Sequence, residues 1–289
     1  MKIISGMSNP QLAARIAKEI GAELLDTKTD NFSDGELRVQ VHGDMGNDVI
    51  IVQSTSTPVN NHLMELLLLA DTTKRAGAQN ITAIVPYFGY SRQDRCTYKH
   101  GPISASLVIK MIESAGVTKL ITLDLHSSQL EGMFNIPIIN LATESIFFSA
   151  IENRENSIVV SPDIGGIARA RNYSSLFGVD LAIINKSRNP DNSCSMNGII
   201  GDVSGKNCII IDDIIDGAST LCLATELLLA AGALSVEAII THAVLSGDAV
   251  SKVENSGIKQ IYISDSICHN RLPPKFVTMP IHQLIGVVL

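Results

Sequence analysis

The chain has no run of Lys or Arg and carries a formal net charge of −7, so nothing in it would draw a polyanionic backbone along an extended surface. Nucleic acid is thereby excluded as the expected partner. Cysteine is sparse: Cys96, Cys194, Cys208, Cys222 and Cys268 are odd in number, scattered, and never paired as CxxC. This argues against a disulfide framework and a zinc knuckle and implies a reducing, cytoplasmic setting. Long apolar runs are also missing. The most apolar helix-like stretches, Leu66 to Ala70 and Leu227 to Leu234, are interrupted or flanked by Glu65 and Glu226 and fall short of the roughly 20 residues a bilayer span needs. The opening "MKIISGMSNP" breaks at Gly6 and at Asn9-Pro10, too early for the apolar region of a secretion signal. The expectation is a soluble protein with no membrane partner and no low-complexity linker.

What the chain does have is material for a large core: 289 residues, 45% of them hydrophobic, a length that suits two domains of roughly 100 to 200 residues each. Short β-branched runs alternate with segments of helical period. "DVIIVQS" (48 to 54) precedes an amphipathic stretch from Asn60 to Ala76, then come "NITAIVPYFGY" (80 to 90), a helix near Ile103 to Ser114 and "KLITLDLH" (119 to 126). After about residue 140 the pattern restarts: "SIVVSPD" (157 to 163), a helix from Gly165 to Ser175, "DLAIIN" (180 to 185), "NCIIIDD" (207 to 213), a helix from Ser219 to Ala231 and "VEAIITHAV" (236 to 244). Continuous apolar strands alternating with helices predict parallel sheets covered on both faces, hence two doubly wound α/β domains. The halves look alike in layout, although their residues do not align as a repeat. Ligands of such sheets sit outside the carboxyl ends of the strands. The polar clusters "SRQDR", "DLHSSQ", "SPDIGG" and "DDIIDGAST" fall at those ends.

The last cluster is the most informative. An apolar strand delivers Asp212, Asp213 and then Asp216, carboxylates suited to sugar hydroxyls or a hydrated Mg²⁺. Gly217, Ala218, Ser219 and Thr220 then open a helix whose unpaired N–H groups and positive dipole end can cradle a phosphate. Carboxylates beside amides suggest a sugar phosphate. The same residues, taken alone, read equally well as an acidic strand end followed by a capped helix.

The stretch resembles the ribose-5-phosphate loop of phosphoribosyl-type folds, an acidic pair followed by D-T-A-G-T or D-T-G-G-T. With "FSDGEL" (32 to 37), residues 54 to 95, "DLHSSQLEGMFNIP" (124 to 137), "SPDIGGIARAR" (161 to 171) and "NKSR" (185 to 188) in order and spacing, the chain is similar over nearly its whole length to the ribose-phosphate pyrophosphokinase family. That resemblance implies two domains of phosphoribosyltransferase-like type. Residues 1–140 would form an ATP-side domain to which about 279–289 return, and 141–278 a ribose-5-phosphate-binding domain. It implies transfer of the diphosphoryl group of Mg-ATP to the C1 hydroxyl of ribose 5-phosphate for nucleotide biosynthesis, with Mg²⁺ required. Lys186 and Arg188 would be catalytic, on a mobile loop spanning Ser187 to Asn197. Phe32, Asp34, Gly35, Glu36, Arg92 and Gln93 would bind ATP, the first four reaching in from a neighbouring subunit. Asp212, Asp213, Asp216, Gly217, Ala218, Ser219 and Thr220 would hold ribose 5-phosphate, while His126 and Asp163 would contact Mg²⁺. A shared ATP site implies a homo-oligomer, with a hexamer built from dimers as the candidate assembly.

Some residues depart from the family pattern. Gly217 and Ser219 stand where Thr and Gly are usual, Ile164 replaces a His, and Ser187 replaces a basic residue. "CTYKHG" (96 to 101) and "HGDMGND" (42 to 48) lack arginines expected of a phosphate- and ADP-responsive regulatory site. Arg169 and Arg171 read equally as phosphate-facing cations or as helix-surface charge. The departures motivate one alternative, a catalytically silent, synthetase-associated regulatory homologue. A plain phosphoribosyltransferase would leave the matched first half unexplained.

Overall fold

The computed structural model describes residues 1–151, 154–188 and 194–289, with backbone alone at 186–188 and 194–197. The chain divides into two compact units. Unit 1 is Met1–Ala142 with Ser266–Cys268 and Ile281–Leu289, and unit 2 is Thr143–Asp265 with His269–Pro280.

Unit 1 opens with β1 (Lys2–Ser5), α1 (Pro10–Ile20) and β2 (Glu23–Leu24). Helix α1 is punctuated at both ends: Asn9 Oδ1 accepts from Leu12 N at 3.1 Å, Pro10 sits in the first turn, and Gly21 closes the helix in the left-handed region at φ 64°. A hairpin of β3 (Asp26–Asn31) and β4 (Leu37–His42) follows as a separate antiparallel pair. Then come β5 (Asp48–Val52), α2 (Val59–Arg75), β6 (Asn80–Ile84), α3 (Ser104–Ala115), β7 (Lys119–Leu123) and β8 (Ile138–Leu141). The main sheet runs β2-β1-β5-β6-β7-β8, parallel throughout. Ile4, Val49, Ile51, Ile81 and Ala83 pack under α2 and α3. Ile3, Ile50, Val52 and Ile84, of the opposite parity, are equally buried and face the other side.

Unit 2 holds α4 (Glu144–Phe148), β9 (Ser157–Ser161), α5 (Ile167–Phe177), β10 (Asp180–Arg188) and β11 (Cys194–Ile200). It continues with β12 (Asn207–Ile215), α6 (Ser219–Ala230), β13 (Ser235–Ala243), α7 (Ala249–Asn255), β14 (Gln260–Ser264) and β15 (Phe276–Met279), and α8 (His282–Gly286) completes unit 1. Its sheet runs β11-β10-β9-β12-β13-β14-β15, with β11 alone antiparallel. One face buries Ile158, Ile210 and Ala238 with Leu221 and Leu228 of α6, and the other buries Val159, Ile209 and Ile239 with Ala170 and Tyr173 of α5. The doubly wound α/β expectation is met in both units. Among the described residues no helix is long and apolar enough to cross a membrane.

The six parallel strands follow one order in both units. The first strand has the second on one side and the third on the other, so each sheet reverses direction beside its first strand, at β1/β5 and at β9/β12. Such a reversal opens a crevice at the carboxyl ends, where ligands of these folds bind. In unit 1 the crevice is closed by side chains. Gln53 Oε1 accepts from Ser8 N at 3.1 Å, and its Nε2 donates to Glu65 Oε2 at 2.6 Å and to His62 O at 3.1 Å. Glu65, buried, also accepts from Met7 N and Thr29 Oγ1.

Two expectations change. The strand expected over 80–90 stops at Ile84 because the following backbone is taken by the neighbouring turn: Thr55 N donates to Tyr87 O at 2.9 Å and Gly89 N to Thr55 Oγ1 at 2.6 Å. The loop expected over 187–197 is, in its described residues, the end of β10 and the start of β11. Residues 189–193 lie outside the described residues.

A methyl group on Gly6 would come within 2.1 Å of the pinned Gln53 Oε1. Gly6→Ala should therefore destabilise by about 1–3 kcal/mol, seen as a lower melting temperature. Gly132→Ala, where a methyl meets nothing within 4 Å, should leave it unchanged.

Candidate functional site

In unit 2 the crevice at the β9/β12 reversal is lined by carboxylates. Strand β12 is apolar from Cys208 to Ile211 and then presents Asp212 and Asp213 in its last turns of register against β13. Asp213 is 4% exposed, and Arg169 on α5 answers it, Nη1 to Oδ1 at 3.2 Å. Of the two roles its position suggested, plain helix-surface charge does not apply to Arg169, whose side chain is 18% exposed. It is an internal counter-ion, whereas Arg171 is exposed on the helix surface.

Asp163, at the end of β9, accepts from Gly166 N at 3.0 Å through Oδ1 and so steadies the entry to α5, while Ser161 Oγ donates to Asp163 O at 2.7 Å. Ile164, beside it, is 65% exposed. Burial, then the charge of Asp213 and a hydrogen bond with it, push the Asp212 carboxyl well above the ordinary carboxylate range. Arg169 opposes this shift and Asp163 adds to it. Among the described side chains, three acids stand against one base, an arrangement suited to a cation or to hydroxyl donors.

The chain then turns through Asp216, Gly217 and Ala218 into α6. Ala218 is the residue before the helix and adopts φ 61°, a left-handed conformation costly for any residue with a Cβ. Its O accepts from Cys222 N at 3.0 Å, so the first N–H groups of α6 point into the turn. Gly217 and Ser219 are exposed. A methyl on Gly217 would meet nothing within 4 Å, and its backbone does not require glycine.

Lys186 and Arg188 lie two residues apart in β10, opposite Met196 and Cys194 of β11, and alternate positions of a strand share a face. Their side chains lie outside what is described. Strand β10 pairs with β9, which places the hairpin one strand from the crevice.

In unit 1, Arg92 and Gln93 follow β6 and His126 follows β7, its neighbour. Gln93 is held from behind: Ser104 Oγ donates to its Oε1 at 2.7 Å, and its N and O bond Tyr90 O and Ala105 N. His126 is exposed, after Asp124 at φ 36°. Phe32, Asp34, Gly35 and Glu36 form the tip of the β3–β4 hairpin. Gly35 there takes φ 95° and Asp34 Oδ1 accepts from Glu36 N at 3.1 Å, the Asp-Gly turn legible in the sequence. Arg38 stacks 5.1 Å over the half-exposed Phe32 ring and is fixed by two 2.7 Å bonds to Asp30.

One residue escaped the sequence reading. Lys252, on α7, reaches the 216–220 turn, with Nζ 3.3 Å from Ser219 Oγ. No local pattern links it to a turn more than thirty residues earlier. Among the described residues no three His, Cys, Asp or Glu side chains form a ready metal cage.

Comparison with known proteins places these features in a family. Residues 1–116 match a profile described as the N-terminal domain of ribose phosphate pyrophosphokinase, and 190–288 one described as a phosphoribosyl synthetase-associated domain. A ribose-phosphate pyrophosphokinase of Thermosipho africanus is 43% identical over 291 residues, covering 99% of this chain and 92% of its own. That of Agrobacterium fabrum is 47% identical over 271 residues, covering 92% and 87%. The crystal structure of phosphoribosylpyrophosphate synthetase from Mycobacterium smegmatis superposes with a TM-score of 0.92 at 32% identity, covering 99% of this chain and 96% of that one.

Removing the counter-ion to a buried carboxylate costs about 3–5 kcal/mol, so Arg169→Ala should lower the melting temperature by roughly 10 °C. Arg171→Ala, on the same helix, should shift it by no more than about 2 °C. Equal shifts would remove Arg169 from its place opposite Asp213.

Proposed function

The chain belongs to the ribose-phosphate pyrophosphokinase family, and from that membership we propose how its own residues divide the work. The enzyme transfers the diphosphoryl group of ATP to the C1 hydroxyl of ribose 5-phosphate, giving 5-phosphoribosyl 1-diphosphate and AMP. The observation that carries the residue assignment is the β12–α6 junction, where a buried acidic strand end runs directly into an exposed turn at a helix N-terminus. In this reading Asp212 and Asp213 accept hydrogen bonds from the ribose hydroxyls. The turn from Asp216 through Gly217, Ala218, Ser219 and Thr220 receives the 5-phosphate on backbone N–H groups and hydroxyls.

ATP is assigned to Arg92 and Gln93 and to the hairpin tip of Phe32, Asp34, Gly35 and Glu36 of a neighbouring subunit. Support comes from the preset amide of Gln93 and from a tip stiffened by Arg38, features that serve binding by limiting the motion lost when a ligand arrives. An ATP site shared in this way makes the enzyme a homo-oligomer, for which a hexamer built from dimers is the proposed form. Asp163 and His126 would hold Mg²⁺ carried in with ATP. Asp163 fits that role in kind, since its second oxygen has no hydrogen bond among the described residues and Mg²⁺ takes oxygen ligands while keeping several waters. His126 would act through water. The ion, when bound, neutralises charge on the ATP phosphates.

Transfer needs little covalent chemistry from the protein. The C1 hydroxyl oxygen attacks the β-phosphorus and gives up its proton to solvent, the bond from that phosphorus to the oxygen joining it to the α-phosphate breaks, and AMP departs with that oxygen and its electron pair. What speeds this step is positive charge aimed at the transferring group. Lys186 and Arg188, on one face of β10, are the proposed source. Closure of the hairpin over the site would exclude the water that otherwise hydrolyses ATP.

Incubation with ATP, ribose 5-phosphate and Mg²⁺ should yield AMP and 5-phosphoribosyl 1-diphosphate in equal amounts, and Lys186→Ala should cut turnover by about 10²-fold or more. Absence of product from the native chain would favour the silent homologue instead. Because the space beside Gly217 is open, Gly217→Thr should be tolerated and should lower the KM for ribose 5-phosphate by roughly threefold or more through one added hydrogen bond.

A further inference from the structure

The sugar-phosphate turn lacks a cation of its own. From Asp212 to Thr220 the chain has three carboxylates and no Lys, Arg or His, yet the proposed ligand is a phosphate dianion. Backbone N–H groups and the α6 dipole supply partial charge confined to the first turn, and Arg169 is engaged with Asp213. A full positive charge beside this turn would come from another element.

Lys252 brings one. Its Nζ lies 3.3 Å from Ser219 Oγ and 3.5 Å from Gly217 O, and 2.9 Å from Asp248, one helical turn back. The position is set by backbone rather than by the reach of a long side chain. Val244 N and Leu245 N both donate to Ile215 O, at 2.9 and 3.1 Å, and Ser246 N donates to Asp216 O at 3.1 Å. These bonds splint the turn that leads into α7 against the sugar-phosphate turn, so α7 and Lys252 keep their place beside it. Ser219 takes part as well: its hydroxyl meets the ammonium at the mouth of the turn. Asp248 is 70% exposed, so its pairing with Lys252 is a solvated one that a phosphate can replace at little cost.

We propose that Lys252 binds the 5-phosphate of ribose 5-phosphate, exchanging Asp248 for a phosphate oxygen as the sugar enters. This rests on the reading of the β12–α6 junction given above. The charge-assisted bond acts on binding of the sugar phosphate, before and during transfer alike, so it governs KM for ribose 5-phosphate rather than turnover.

The test is steady-state kinetics of the full chain with Lys252→Ala and Lys252→Arg, with calorimetric titration of ribose 5-phosphate into each. Lys252→Ala should raise KM for ribose 5-phosphate about tenfold while kcat and KM for ATP stay within about twofold of native. Lys252→Arg should recover most of the affinity, and the affinity of the native enzyme should fall more steeply with salt than that of the alanine variant. An unchanged KM, or a loss that Arg fails to restore, overturns the proposal. If the native chain makes no product, the titration decides: weaker binding of ribose 5-phosphate to Lys252→Ala alone upholds Lys252 while the reaction assignment fails. Equal binding by all three, or no binding by any, overturns it.

Discussion

The ion pair between Arg169 and Asp213 is the interaction on which the acidic crevice of unit 2 depends. A parallel strand buried on both faces cannot end in carboxylates without compensation, because an isolated buried charge is strongly disfavoured. Arg169 provides it from α5, and α5 is aimed by Asp163 at its entry. The strand reversal between β9 and β12 puts both acidic loops at one crevice, and the pair compensates Asp213 there. Asp212 makes no ion pair among the described residues, and burial and the neighbouring Asp213 raise its pKa against the pull of Arg169.

The same strand order occurs twice, and the two crevices have opposite fates. In unit 1 the side chain of Gln53 and the carboxylate of Glu65 knit the first and third strand ends together, and Gly6 is held to a hydrogen atom by the nearness of that amide. In unit 2 the corresponding strand ends carry Asp163, Asp212 and Asp213, of which Asp213 pairs with Arg169 and Asp163 caps the entry to α5. In unit 1 the reversal point is thus filled by the protein's own side chains.

Much of this was legible in the sequence because buried parallel strands are written as unbroken apolar runs. "DVIIV" and "NCIIID" announce β5 and β12 without reference to any other part of the chain. Edge structure was less legible. The residues around β11 are rich in Asn and Ser, and they become a strand because β10 offers an open edge to pair with. The apolar run after Ile84 looked like more strand, but Thr55 captures the backbone at Tyr87 and Gly89 and bends it away. Arg169 could be placed on a helix by sequence, but its partner is 44 residues onward. Lys252 had no local signal at all, since a backbone splint across two strand ends is what brings it near Ser219.

Unit 2 lies within unit 1 along the chain, and that order has a consequence for how the protein is made. Helix α8 packs on α1, with His282 3.9 Å from Glu19, and Ser54 Oγ donates to Ser266 O at 2.5 Å. The residues that complete unit 1 thus leave the ribosome after those of unit 2, although unit 1 begins first. Its sheet emerges early, while α1 stays without its α8 neighbour until all of unit 2 has been made. Domains otherwise tend to finish in the order of their synthesis; in this chain the unit that starts folding first is the one that must wait.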